Sequence, residues 1–390
     1  MRVMVIAGTR PEIIKTAPVV HALRGRDWAN TLGMRDIDCA IIATGQHGAL
    51  ASQAFSDVGL GPDFSLDMGT GAAGLTETAS QILSIAKPTG RRAPPADLLL
   101  VQGDTNSALA GAMAGWYGRL PVAHVEAGLR SGDERDPFPE EANRRLIARF
   151  TALHFAPTRR AAENLRTEGI DPAHIIVTGN TVVDALSHAQ DDTAPLPCAL
   201  AHGHRLVTVT CHRRDNWHDG ILAVCKAVTA LAANDTMLQI AFVLHGNPAL
   251  AAAVRQALGD TPRISLLPPQ PFAQFIALLR VSALVITDSG GVQEEAVSLG
   301  RPVLVCRASS ERPEGLDSGL MEIVGIQPQT ITARAQARLA LSPTPPPAVN
   351  PYGDGAAGPR IAEALLRWHA GLTPYLPAQR QFDAAGVAAA

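Results

Sequence analysis

The sequence predicts an α/β protein made of two Rossmann-like domains, and three observations carry that prediction. Short apolar, β-rich runs recur along the whole chain: at residues 3–7, 40–43, 98–101, 122–125 and 175–177, then at 206–209, 240–244, 264–267, 284–286 and 303–305. Segments of helical period separate most of them, as at 81–87, 108–117, 142–150 and 221–233. Strands alternating with helices give a parallel sheet covered on both faces. Finally, 390 residues exceed what one ordinary core holds. The first domain is placed at 1–186 and the second at 187–359. The join falls in the aperiodic stretch 187–203, and a second break falls in the Pro- and Gly-rich stretch 342–358. A helix over 360–372 is expected to pack back on the first domain, and 373–390 reads as a tail.

Composition narrows the function classes. With 46% hydrophobic and 18% charged residues, the chain is globular rather than disordered. A net charge of −3 without a basic block argues against nucleic acid as a partner. Lysine is rare (Lys15, Lys87 and Lys226), which makes Lys15 beside a phosphate-type turn notable. Cys39, Cys198, Cys211, Cys225 and Cys306 are scattered without metal-ligand spacing. Of these, Cys39, Cys211 and Cys306 lie in or beside apolar runs, as buried free thiols do, which suits a reducing cytoplasm. No apolar run reaches membrane-spanning length, and Met1-Arg2 leads straight into a strand too short for a signal-peptide core. The expectation is a soluble cytoplasmic protein with no membrane partner.

In open parallel sheets ligands bind beyond the carboxyl ends of the strands, so the residues that follow each strand matter most. In the first half these are Gly8-Thr9-Arg10-Pro11-Glu12, Thr44-Gly45-Gln46-His47, Gly103-Asp104-Thr105-Asn106 and Glu126-Ala127-Gly128-Leu129-Arg130. In the second half they are Cys211-His212-Arg213-Arg214, His245-Gly246-Asn247-Pro248, Pro269-Gln270, Asp288-Ser289-Gly290-Gly291 and the stretch 307–314. Loops are polar in general, but this recurrence points to a ligand held between two sheet edges.

The most informative of these turns ends the run 283–287. Ser289, Gly290 and Gly291 lead directly into a helix, where close backbone approach, unpaired N–H groups and the helix dipole favour a phosphate. The same turn also serves as a plain strand-to-helix connection. Glu294 and Glu295 lie about one turn in, within reach of sugar hydroxyls. Arg10 and Lys15 straddle a helix start that carries Pro11 and suit a diphosphate. His212, Arg213 and Arg214 follow a strand and suit a phosphate or a departing charge. Asp104, Glu126 and Glu140 are expected to face one cleft, with Glu141 beside the last. Paired carboxylates suit proton removal on one face of a carbon and delivery on the other. Glu140 follows Pro139 at a helix start, where the dipole favours its ionised form. His124 is expected to point into the sheet. No cluster has zinc or calcium spacing, and no early strand carries G-x-G-x-x-G, so neither a metal nor a nicotinamide cofactor is expected.

Several segments together resemble the bacterial non-hydrolysing UDP-N-acetylglucosamine 2-epimerases. They are Gly8-Thr-Arg-Pro-Glu-Ile-Ile-Lys15, Gln102-Gly-Asp-Thr105, His124-Val-Glu-Ala-Gly-Leu-Arg-Ser-Gly132, Pro137-Phe-Pro-Glu-Glu-Ala-Asn-Arg144, Thr178-Gly-Asn-Thr181, His212-Arg-Arg214, residues 288–295, Glu311-Arg-Pro-Glu314 and Asn350-Pro-Tyr-Gly-Asp-Gly355. The resemblance runs in order from about residue 2 to about 368. It implies two domains of glycosyltransferase-B type with the nucleotide between them, a homodimer, and no cofactor. It also implies interconversion of UDP-GlcNAc and UDP-ManNAc: UDP is eliminated across C1–C2 to give a 2-acetamidoglucal, and is added back after C2 is protonated from the other face.

Carried over by position, the resemblance makes Asp104, Glu126 and Glu140 the catalytic carboxylates, with the division of faces left open. His212 assists UDP departure. Arg10, Lys15, Gln270, Phe275, Ser289, Gly290, Gly291, Glu295 and Arg312 become substrate-binding positions. Gln46, His47, Arg213 and His245 resemble a site at which some members bind a second UDP-sugar as an allosteric activator. The loop 65–75, however, lacks the arginine that activated members place there. Asp215 and Cys211 also depart from the usual Glu and smaller residue. A sister epimerase of a modified UDP-sugar, such as a 2,3-diacetamido uronic acid, and a non-catalytic UDP-sugar sensor are the rival readings.

Overall fold

A computed structural model describes residues 1–25, 28, 32–33, 37–44, 48–66, 75–83, 96–189, 194–211, 213, 217, 219–341 and 349–384. The chain divides into two compact units, Met1–His188 with Tyr352–Ala390, and Ala189–Pro351.

The first unit is built on a seven-stranded sheet. Its strands are β1 (Arg2–Ala7), β2 (Asp38–Ala43), β3 (Phe64–Ser65), β4 (Leu98–Gln102), β5 (Val122–Val125), β6 (Leu153–Ala156) and β7 (Ile175–Val177), in the order β3-β2-β1-β4-β5-β6-β7. Every pairing is parallel. Side chains alternate across such a sheet. Val3, Val5, Leu98 and Leu100 enter one core with helix α1 (Arg10–Gly25), while Met4, Ile6, Leu99 and Val101 enter another with helix α4 (Asn106–Tyr117) and helix α5 (Glu140–Phe150). Helices α2 (Gly48–Asp57) and α3 (Leu75–Leu83) precede α4; α6 (Arg159–Thr167) and α7 (Thr181–Ala189) follow α5. Burial on both faces explains why these strands are continuous apolar runs rather than alternating ones.

The second unit carries β8 (Arg205–Thr210), β9 (Leu238–Val243), β10 (Ile264–Leu267), β11 (Ser282–Thr287), β12 (Val303–Val305) and β13 (Met321–Ile323), all parallel, in the order β10-β9-β8-β11-β12-β13. Helices α8 (Asp219–Asn234), α9 (Pro248–Leu258), α10 (Phe272–Val281), α11 (Gly290–Ser298), α12 (Pro313–Asp317) and α13 (Pro328–Ala340) connect them. The predicted fold class therefore stands. Strands β3, β6 and β13 were not among the expected runs. They have two to four residues and sit at or near sheet edges, so pairing rather than local propensity makes them strands.

Two boundaries differ from expectation. The second unit ends at Pro351 rather than 359, because Tyr352 is buried and its carbonyl accepts Asn180 N at 2.7 Å within the first unit. The last helix, α14 (Ala357–His369), contributes Ile361, Ala362, Leu365 and Leu366 to the core that holds Val3 and Val5. Its N-terminus is capped from α7: the Asp184 carboxylate accepts Gly358 N at 2.8 Å and Ala357 N at 3.2 Å. Burial pushes the Asp184 carboxyl up to about 6. Residues 373–384 are not a free tail either. Leu376 and Phe382 are buried, Phe382 N donates to Val177 O at 3.0 Å, and Val177 N donates to the Gln381 side chain at 3.0 Å. This segment covers the outer edge of β7. Among the described residues no helix is long and apolar enough to cross a membrane.

Candidate active site

In each sheet the strand order reverses once, between β1 and β4 in the first and between β8 and β11 in the second. Ligands of open α/β sheets bind at such switch points, and the predicted residues cluster there. In the first unit, Glu12 supplies the glutamate half of a capping box at the start of α1: its buried carboxylate accepts Thr9 N at 2.6 Å and Gly8 N at 2.8 Å. The same carboxylate accepts the Thr105 hydroxyl, which joins the β1 turn to the β4 turn. Desolvation raises the Glu12 carboxyl above its usual range, and these hydrogen bonds pull it back. Gly8 is required here because a Cβ would stand 2.1 Å from Thr44 Oγ1 and 2.4 Å from Ser107 Oγ. Arg10, partly buried, opens the helix.

Each of the carboxylates Asp104 and Glu126 sits on a buried cation. Asp104, just beyond β4, accepts Arg144 Nε at 2.9 Å and Nη2 at 2.6 Å. Glu126, immediately after β5, accepts Lys15 Nζ at 2.7 Å and the Gln102 amide. Its φ of 67° places a non-glycine residue in the left-handed region, a strain typical of functional positions. Charge-assisted bonds of this kind fix the position and direction of a carboxylate. Lys15, expected at a diphosphate, thus has Glu126 as an immediate partner. Glu140 is the first residue of α5, with Pro139 before it, and is partly buried. His124 is a core histidine: it is 1% exposed, its Nε2 lies 2.8 Å from Gly103 O, and burial lowers it to about 4. Its register partner His154 is lowered by burial to about 3.

In the second unit, Ser289 is the N-cap of α11 and its amide donates to Thr287 Oγ1 at 3.0 Å. Gly290 is a glycine because the Arg312 guanidinium occupies the space: a Cβ would lie 2.3 Å from Nη1. A Cβ on Gly291 would meet nothing within 4 Å. Arg312 is buried, donating from Nε to Glu294 at 2.7 Å and also pairing with Glu311, which in turn accepts Arg307 at 2.9 Å. Glu294 therefore serves Arg312, whereas Glu295 is partly exposed on the second turn. Asp288, fully buried, accepts Arg213 N at 2.9 Å and the Cys211 thiol at 3.3 Å. Burial holds the Cys211 thiol well above its ordinary range, so it is a protonated donor. Gln270 and Phe275 are buried around the start of α10. His245 is exposed just beyond β9, its Nδ1 accepting Asn247 N at 3.0 Å.

Gln46, His47 and His212 lie outside the described residues. The residues quoted in the sequence motifs but given no site role there are the partners: Arg144, Glu12, Gln102, Glu311 and Asp288. Glu12 was legible as the fourth residue of a T-x-x-E capping box. Arg144 stands four residues after Glu140, one helical turn along. Among the described residues, no group of three or more His, Cys, Asp or Glu is arranged to hold a metal ion.

Two parallel α/β units with polar groups gathered at their switch points define a protein of glycosyltransferase-B-like fold. A family model described as UDP-N-acetylglucosamine 2-epimerase matches residues 31–366. A UDP-N-acetylglucosamine 2-epimerase of Yersinia pestis is 40% identical over 379 residues, covering 94% of this chain and 98% of that protein. One from Salmonella typhimurium is 38% identical over 385 residues, covering 95% and 100%. The crystal structure of a Neisseria meningitidis UDP-GlcNAc 2-epimerase bound to UDP-GlcNAc matches with a TM-score of 0.85 at 33% identity, covering 94% of this chain and 100% of that one. The chain belongs to the UDP-N-acetylglucosamine 2-epimerase family and is an isomerase.

Proposed function

We propose that this enzyme interconverts UDP-GlcNAc and UDP-ManNAc by eliminating UDP across C1–C2 and adding it back to the 2-acetamidoglucal after protonation of C2 on the opposite face. The observation that carries the reading is the set Asp104, Glu126 and Glu140 beyond the adjacent strands β4 and β5 and at the start of α5, with the first two held by buried cations. Removing a proton from one face of a carbon and returning one to the other needs more than one positioned carboxylate. Ser289, Gly290, Gly291 and the arginines behind them suit the diphosphate of the leaving UDP, and Glu295 suits its ribose.

The test is proton NMR of the enzyme with UDP-GlcNAc in D₂O. Deuterium at C2 together with a growing UDP-ManNAc anomeric signal is the expected result. Free UDP and ManNAc would mean hydrolysis, and an unchanged spectrum would move the substrate to a modified UDP-sugar.

The same reading takes the enzyme to be a cytoplasmic homodimer, since its free cysteines are mostly buried and Trp116, Tyr117 and Leu146 expose apolar surface on α4 and α5. A second UDP-sugar acting as activator would use Arg213 and His245, beyond the neighbouring strands β8 and β9.

A further inference from the structure

We infer that Arg144 is a positioning residue for this reaction: a single guanidinium ties Asp104 to the loop that follows Glu126. The inference rests on the proposed epimerase reading. Arg144 is 2% exposed, and all three of its nitrogens are used. Nε and Nη2 hold Asp104 Oδ2 at 2.9 and 2.6 Å, while Nη1 donates to Glu141 Oε2 at 2.8 Å. The same Glu141 oxygen accepts Ser131 N at 3.0 Å, five residues along the loop from Glu126. The preceding residue adds a main-chain clamp: Asn143 Nδ2 donates to Asp104 O at 2.8 Å and to Asn106 Oδ1 at 3.0 Å. Groups of two separate segments, Asp104 with Asn106 and the loop residue Ser131, thus meet on the first turns of α5, the helix that also carries Glu140.

Stability alone does not account for this arrangement. Burying an ion triad costs desolvation that apolar side chains of the same volume avoid. The exposure is also graded: the Glu141 side chain is 0% exposed and that of Arg144 3%, while Asp104 keeps 24%. The network therefore opens to solvent at the Asp104 carboxylate, the member expected to meet the sugar. Arginine suits the role because its planar fork engages two partners in fixed directions, which an ammonium cannot do.

The test compares wild type, Arg144→Lys and Glu141→Gln by C2 deuterium incorporation, kcat and KM for UDP-GlcNAc, UDP affinity by calorimetry, and melting temperature. Lysine keeps the charge but not the fork. We expect Arg144→Lys to lower kcat about 100-fold, the scale of a misplaced reacting group, with KM and UDP affinity within threefold of wild type. Glu141→Gln keeps an acceptor and should lower kcat about tenfold with the same split. Wild-type kcat per UDP-binding site in Arg144→Lys would overturn the inference, as would a loss of kcat that tracks the loss of UDP-binding protein. If Arg144→Lys does not fold, Glu141→Gln decides by the same criteria. Absence of C2 exchange in the wild-type enzyme would overturn the epimerase reading, and this role with it. Exchange in wild type with no effect of either variant would overturn this role alone.

Discussion

In the proposed function, the edge of the seven-stranded sheet works through side chains: two carboxylates, each paired with a buried cation, beyond strands β4 and β5. The edge of the six-stranded sheet works through backbone. Ser289, Gly290 and Gly291 begin a helix, and the arginine beside them is held back by Glu294 and Glu311. The two units have similar strand orders, and the proposed function divides the work between them into chemistry and grip. Carboxylates need defined partners to act on protons, whereas a phosphate needs donors, dipole and close approach.

Substitutions at the first edge should break this division most sharply. Asp104→Asn is expected to lower kcat at least about 1,000-fold, at the scale of a lost acid–base group, while UDP affinity stays within a few-fold. Loss of UDP binding as well would make Asp104 a structural acid. The matching experiment at the second edge is Gly290→Ala. Its Cβ would collide with the Arg312 guanidinium, so UDP affinity should fall about tenfold or more, the loss of roughly one charge-assisted contact. Gly291→Ala, where a Cβ has open space, should lose much less. Equal losses in the two alanine variants would show that the arginine's place against Gly290 is unimportant.

Smaller effects should separate the units by pH. His124 and His154 lie in the first sheet with values lowered by burial to about 4 and about 3, below the 6.5 of the free side chain. As pH falls below 6.5 the unfolded chain therefore takes up protons first, and stability present above that pH is lost on the way down. Asp184 runs the opposite way. Its carboxyl, raised to about 6 from 3.8, favours the folded state in its protonated form, so its contribution is present at low pH and lost as pH rises through about 6. Chemical denaturation at pH 7 and pH 5 should show the first unit losing stability in acid. Asp184→Asn should steepen that loss and His124→Gln should flatten it. A second unit that loses as much stability would reverse the assignment.

The sequence was most readable where a feature closes within one turn or one strand. The strands β1, β4, β5, β8 and β11, the start of α5 at Glu140 and the glycine turn before α11 all depend on a few neighbouring residues. The overlooked features have long-range causes. The edge strand β13 exists because β12 pairs with it, and residues 373–384 are ordered by the edge of β7.

The sequence alone therefore determined the α/β class, the chemistry offered beyond each strand, and the family, since motifs and periodicity are local and are read in order. Tertiary structure alone decided which charge meets which. Lys15 reaches Glu126 across 111 positions, and Arg144 reaches Asp104 across 40. Strand order brings those positions together, and in a buried edge each carboxylate must find a cation or hydrogen-bond donors within about 3 Å or bear the cost of desolvation by itself.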